Sequence, residues 1–199
     1  MARLVLRPEE RQARILAVAG RVFSLKGYAA TRMTDIAAEA GMAQGLVYRY
    51  FPSKEALFLA LIEHAFSRLQ EAISGLDALP LPDGEKLTYA LKEMVARLEA
   101  DEDFARRIVM LARTSDLDDA PSDVRQAAKA LGDAPYRQIS ALIARGQASG
   151  QVLAGDPEEM ALVFWSLVKG LALSRLSQGA DFQAPDARLL SRIFSQAAA

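Results

Sequence analysis

Gln44, Tyr48 and Arg49 fall within one short stretch, and each carries a group that nucleic acid can use. A glutamine amide suits bidentate contact with adenine, an arginine guanidinium reaches guanine or phosphate, and a tyrosine hydroxyl meets a phosphate oxygen. Gly45 between them is a poor helix former, which makes sense where the backbone must lie close to something. These residues need a platform, and the flanking sequence supplies one. Met33, Ile36, Ala37 and Ala40 recur at helical spacing and give an apolar stripe of about two turns. Gly41 then offers the left-handed position that ends many helices, and Met42 can plug the angle that follows. Gln44 to Tyr50 can form a second helix with Val47 and Phe51 inward, leaving Gln44, Gly45, Leu46, Tyr48 and Arg49 outside. Helix, tight turn and second helix is the layout that sets one helix into the major groove of DNA. An ordinary helical hairpin with a solvated face would show the same pattern, so the surroundings decide.

Upstream, Pro8 can open a helix, Ile15, Leu16, Ala19, Val22 and Phe23 form a 3.6-period stripe, and Lys26-Gly27 closes it. Downstream, Phe51-Pro52 stops the hairpin and Ser53 is placed to cap the next helix. The run from Phe23 to Leu57, F-S-L-K-G-Y-A-A-T-R-M-T-D-I-A-A-E-A-G-M-A-Q-G-L-V-Y-R-Y-F-P-S-K-E-A-L, resembles the N-terminal DNA-binding domain of the TetR family of bacterial transcription regulators, over roughly Ile15 to Leu61. The resemblance implies that Tyr48 and Lys54 hold phosphates and that Thr34, Gln44, Gly45, Leu46 and Arg49 face the groove, with Arg32 beside them. Two positions depart from the family's habit. Ala43 stands where a serine often caps the recognition helix, and Leu46 stands where a threonine often touches DNA, leaving only apolar contact such as a thymine methyl.

Charge is divided in the same sense. Residues 1–54 carry 9 Lys+Arg against 4 Asp+Glu, a balance of +5, and residues 55–199 carry 15 against 21, a balance of −6. A basic head on an acidic body suits a head that meets phosphate. The chain has no cysteine, which removes disulfides, thiolate nucleophiles and cysteine-zinc sites. The first residues have no long apolar stretch of the signal-peptide kind. The longest apolar run, Met160 to Leu173, is interrupted by Lys169 and short for a bilayer, so a cytoplasmic protein without membrane contact is expected.

Beyond the head every clear period is helical. Helices are expected from Leu57 to Gly75, through Leu87–Leu98, through Phe104–Leu111, from Val124 to Gln147 with a kink or break at Pro135, from Asp156-Pro157 to Leu176, and from Ala187 to Phe194. The Met160 to Leu176 helix is apolar nearly all round and needs cover on two sides. A second copy would supply one of them, through Leu171, Leu189, Leu190 and Ile193; the resemblance likewise implies pairing through the last two long helices. Phe66, Met94, Phe104, Met110, Tyr136 and Trp165 could line an adaptable cavity, with Arg106, Arg107 and Arg113 available to an anion.

Catalytic machinery has no place here. His64 is the single histidine and is expected at a core edge, the acidic runs Asp101–Asp103 and Asp116–Asp119 lack calcium-loop spacing, and no glycine-rich loop follows a strand. The sequence therefore describes an all-α protein of about nine helices, with a helix-turn-helix DNA-binding domain at 1–52 and a helical effector-binding and dimerisation domain at 53–199. No catalytic residue, metal or cofactor is assigned. The expected activity is regulation of transcription by a homodimer on palindromic operator DNA, as a repressor released by a small hydrophobic or amphipathic effector. A ligand-dependent activator and a helical small-molecule-binding protein that no longer binds DNA are the alternatives.

Overall fold

A computed structural model describes residues 7–116 and 120–195, so Met1–Leu6 and Leu117–Asp119 of the acidic loop lie outside it. The first helix, α1 (Pro8–Ala30), opens on Pro8 with Glu9 and Glu10 in its first turn, where acids meet the positive end of the helix dipole. Its helical geometry breaks at Gly27, with φ of 77°, near where Lys26-Gly27 predicts closure. Then come α2 (Met33–Ala40) and α3 (Gln44–Tyr50), joined through Gly41 at φ of 65°, a left-handed turn that a side chain would strain. The helix α4 (Lys54–Gly75) starts on Ser53, whose Oγ accepts from the Ala56 amide at 3.1 Å.

The body adds α5 (Asp83–Ala100), α6 (Glu102–Ala112), α7 (Ser122–Ala148), α8 (Pro157–Gln178) and α9 (Ala187–Ser191). The Asp156 carboxylate begins α8 by accepting from the amides of Glu158 at 2.7 Å and Glu159 at 3.3 Å. Nine α-helices and no strand occur among the described residues. Two expectations need correction. Of the kink or break expected at Pro135, the break does not occur: α7 runs through it as one helix, packed against α4 and α8 with Pro135 itself buried. The last helix is also shorter than expected, ending at Ser191 before turns that carry Phe194 back into the core.

Two cores share α4. One joins Ile15, Ile36, Val47, Leu57 and Ile62 to Met110 of α6 and Val124 and Ala128 of α7; the other joins Leu91, Leu98, Ile139, Ile143, Phe164 and Val168. The apolar core under the α2–α3 hairpin therefore continues past residue 52 into the body. Close approach fixes the far end of α7: a Cβ on Gly146 would stand 2.5 Å from the Val152 side chain.

Candidate nucleic-acid interface and effector cavity

The reading surface is a seven-residue helix pinned by its inner side. Val47 is fully buried, Phe51 follows it into the core, and Gln44, Gly45, Tyr48 and Arg49 are turned to solvent with Leu46 half-buried. Ala43 gives the α3 terminus no side-chain acceptor. Thr34 and Arg32 are exposed at the start of α2, where the Arg32 amide donates to Asp35 Oδ2 at 3.1 Å.

Four of the head's cations, Arg7, Arg21, Lys26 and Lys54, are tied to groups of the protein itself. Arg21 pairs with Glu39, and Lys26 pairs with Asp35 at 3.0 Å, a contact that holds the Asp35 carboxyl below the usual range. Lys54 departs from its expected role as a free phosphate contact. Its Nζ donates to the Tyr28 carbonyl at 3.0 Å and reaches the Ala29 carbonyl at 3.5 Å, lying 4.3 Å from the Tyr28 ring centroid. An ammonium there adds a charge-assisted bond at the negative end of α1, where the Tyr28 carbonyl also accepts from the Thr31 amide at 3.4 Å. The Tyr28 hydroxyl in turn donates to Glu55 Oε1 at 3.0 Å. Burial pushes the Tyr28 phenol up, and the Glu55 carboxylate is held low by its own backbone amide and by the Ser53 hydroxyl. Among the described residues Arg32 and Arg49 form no ion pair.

In the body, a cavity of about 580 Å³ opens between α4, α6, α7 and α8. Phe66, Tyr136 and Trp165 line it as the sequence suggests. Met94 and Phe104 do not; they line a separate groove of about 980 Å³ between α1, α4, α5 and α6, Met94 because α5 forms no wall of the smaller cavity and Phe104 because the first turn of α6 lies on the groove. Met110 lines neither and is packed in the core under the head. The arginines expected to meet an anion are also elsewhere. Arg106 pairs with Glu102 and Asp103, and Arg107 pairs with Asp101 at 3.0 Å, both on the larger groove, while Arg113 lines neither space. His64 is exposed on that groove and is not at a core edge.

The cavity's own cations are Arg125, Lys129 and Lys169. Lys169 donates to the Tyr136 hydroxyl and lies 5.2 Å from that ring's centroid, while Trp165 Nε1 donates to the Pro135 carbonyl at 3.3 Å. Sequence reasoning passed over Lys169 as an interruption of an apolar run. That interruption was the available signal, since a lone cation in an apolar helix needs a reason to be there.

The outer face of α8 carries Leu162, Ser166, Gly170, Leu173 and Ser177, all exposed and one helical step apart. Leu162 and Leu173 are 55% and 56% exposed, and Leu189 and Ile193 beyond α9 are 62% and 45% exposed. Leu171 is half-buried, and Leu190 is only 8% exposed and belongs to its own body's core, so it is unavailable to a partner. By length and composition the stretch Pro157–Asp181 is apolar enough to cross a membrane, with mean hydropathy 1.3 over its most apolar window. Its inner face, Ala161, Phe164, Trp165, Val168 and Ala172, is held in the core.

The pattern of bacterial regulatory proteins of the tetR family matches residues 15–61. The chain is 34% identical over 104 residues to the uncharacterized HTH-type transcriptional regulator YerO of Bacillus subtilis, covering 51% of this chain and 35% of that one. It is 38% identical over 82 residues to the HTH-type transcriptional repressor NicS of Pseudomonas putida, covering 41% and 37%. The chain thus spans little more than a third of the length of these curated relatives. Its fold matches along nearly all its length: a TetR-family regulator from Agrobacterium tumefaciens superimposes with a TM-score of 0.78, 21% identity, and coverage of 96% of this chain and 100% of that one. Residues 15–61, which hold the α2–α3 hairpin, thus match the tetR-family pattern, and the helical body behind them shares the fold of a TetR-family regulator.

Proposed function

We propose that the protein is a transcriptional repressor that reads palindromic operator DNA as a homodimer and lets go when a small amphipathic molecule fills the cavity among α4, α6, α7 and α8. The observation that carries this reading is α3 itself. Val47 locks one side of the helix into the core while Gln44, Tyr48 and Arg49 face outward, so the helix is rigid and its polar side is free. A helix of about two turns reads only a few base pairs, and two copies reading half-sites about 34–36 Å apart multiply affinity and selectivity.

The outer face of α8 supports the second copy. Exposed leucines flank Ser166 and Gly170, and no side chain stands over Gly170, so a partner helix can approach closely there. An apolar stripe of this kind marks an interaction surface. Control by an effector follows from α4. Its first residue, Lys54, grips the end of α1, and three turns further on Phe66 forms part of the cavity wall against Gly132. A molecule that displaces Phe66 tilts α4, and the tilt changes the separation of the two α3 helices.

Selection of bound duplexes from a random DNA pool tests the reading. The full-length protein should enrich inverted repeats whose half-sites lie one helical turn apart. Enrichment of no sequence, with salt-sensitive binding alike on all duplexes, would refute operator recognition.

A further inference from the structure

We propose that the cavity is built for a hydrophobic organic monoanion, the carboxylate of an aryl- or alkyl-chain acid, with its charged end on Lys169 and Tyr136. This rests on the reading of the cavity as the effector site and names the chemical class it takes.

Volume and walls set the body of the ligand. At about 580 Å³ the space lies in the usual range of small-molecule sites, and Phe66, Ile108 and Trp165 give it apolar sides. Charge sets the head. Lys169 is half-buried, its one bonded partner is the neutral Tyr136 hydroxyl, and no carboxylate among the described residues lies within ion-pair distance. An ammonium drawn out of water without a counter-ion is costly, and an anion in the cavity removes the cost. Tyr136 completes the seat. Having accepted from Lys169, its oxygen keeps its own hydrogen to donate, and no acceptor among the described residues takes it. Two neighbouring donors match the two oxygens of one carboxylate. Lys129, exposed on the same wall and also without an ion pair, adds positive potential. Asp133, the single carboxylate on the wall among the described residues, is exposed and pairs with neither lysine.

Trp165 is the only tryptophan in the chain and lines this cavity, so its fluorescence reports occupancy without any DNA present. The probes are two matched series: 4-phenylbutyrate, 4-phenylbutanol and 4-phenylbutylamine, and decanoate with decanol and decylamine. In each, the acid should bind the full-length protein about tenfold or more tightly than the alcohol, the effect of one charge-assisted hydrogen bond, and the amine should bind least. Lys169→Met should reduce the acid's advantage to threefold or less, with the acid losing more affinity than the alcohol. Tyr136→Phe should reduce it in part, and serves in place of the lysine variant if that one fails to fold. Acid and alcohol binding alike, an amine binding best, or no acid binding up to millimolar concentration would each overturn the proposal. Operator selection stands apart from these outcomes: acids that bind but never release operator DNA would refute effector control and leave the anion site intact.

Discussion

The head and the cavity differ in how their positive charges are used. The head has an excess of cations by count, yet Arg21, Lys26 and Lys54 are tied to Glu39, Asp35 and the carbonyls ending α1. The body has an excess of acids by count, yet among the described residues Lys129 and Lys169 meet no carboxylate at the cavity. Net charge counts residues; what a ligand meets is the charge left after the fold has satisfied its own groups. On the proposed reading, DNA contact would rest on the groups the fold leaves free, with Arg49 among them, while Lys54 also holds the head together.

Surfaces that look alike in sequence separate in the same way. Leu173 and Leu190 are both leucines near the C-terminus, one 56% exposed and the other 8% exposed. Leu173→Arg should place an unpaired charge in a dry contact and weaken dimerisation by a hundredfold or more, from a cost of about 3–5 kcal/mol, with the melting curve of the monomer unchanged. Leu190→Arg should lower the melting temperature of the fold itself, since it charges the core shared with Phe194. Analytical ultracentrifugation beside calorimetry distinguishes the two. If Leu173→Arg remains dimeric at micromolar concentration, the α8 face is not the interface.

The next contrast is between Arg49 and Lys54. Arg49→Ala removes a free guanidinium and should cost about 1–3 kcal/mol of operator binding with no loss of stability. Lys54→Ala removes hydrogen bonds to two carbonyls and a contact with the Tyr28 ring, so it should lower stability by about 1–2 kcal/mol, discounted because the group is partly exposed. Anisotropy on a selected duplex, paired with urea unfolding, reads both. A stable Lys54→Ala protein that loses only DNA affinity would return Lys54 to the role of a phosphate contact.

How much could be read in advance follows from how local each feature is. The Gly41 turn, the Ser53 and Asp156 caps and the inward Val47 depend on residues within a few positions of one another, and all appear as the pattern implies. The cavity depends on four helices converging. Residue type along one helix says that Met94 is apolar, but whether it faces the cavity or the larger groove is settled by how α5 packs, and no spacing rule reports that. The continuity of α7 through Pro135 likewise depends on neighbours, since α4 and α8 keep a helix together where its own backbone would part. The Lys54 contact with the carbonyls of α1 was not legible, because a cation near that hairpin has two kinds of acceptor within reach in principle, the phosphates of DNA and the end of α1.

The smallest expected effect comes from acid, and it falls on the head. Glu55 is held below its usual range by its own amide, the Ser53 hydroxyl and the Tyr28 hydroxyl, and Asp35 is held low by Lys26. A carboxylate whose folded value is depressed binds fewer protons in the folded state, so its contribution is complete above the unfolded value near about 4 and fades as pH falls through the folded one. Stability of the head should therefore be level from neutral pH down to about pH 5 and decline below about pH 4. Glu55→Gln removes the charge that titrates but keeps an acceptor for Tyr28. The variant should be modestly less stable at pH 7, and its melting temperature should approach that of the parent as pH drops to about 3. Circular dichroism melts at several pH values give both curves. Parallel curves, offset equally at pH 7 and pH 3, would mean that Glu55 acts through shape and hydrogen bonding alone, and that the acid sensitivity of the head belongs to the Lys26–Asp35 pair.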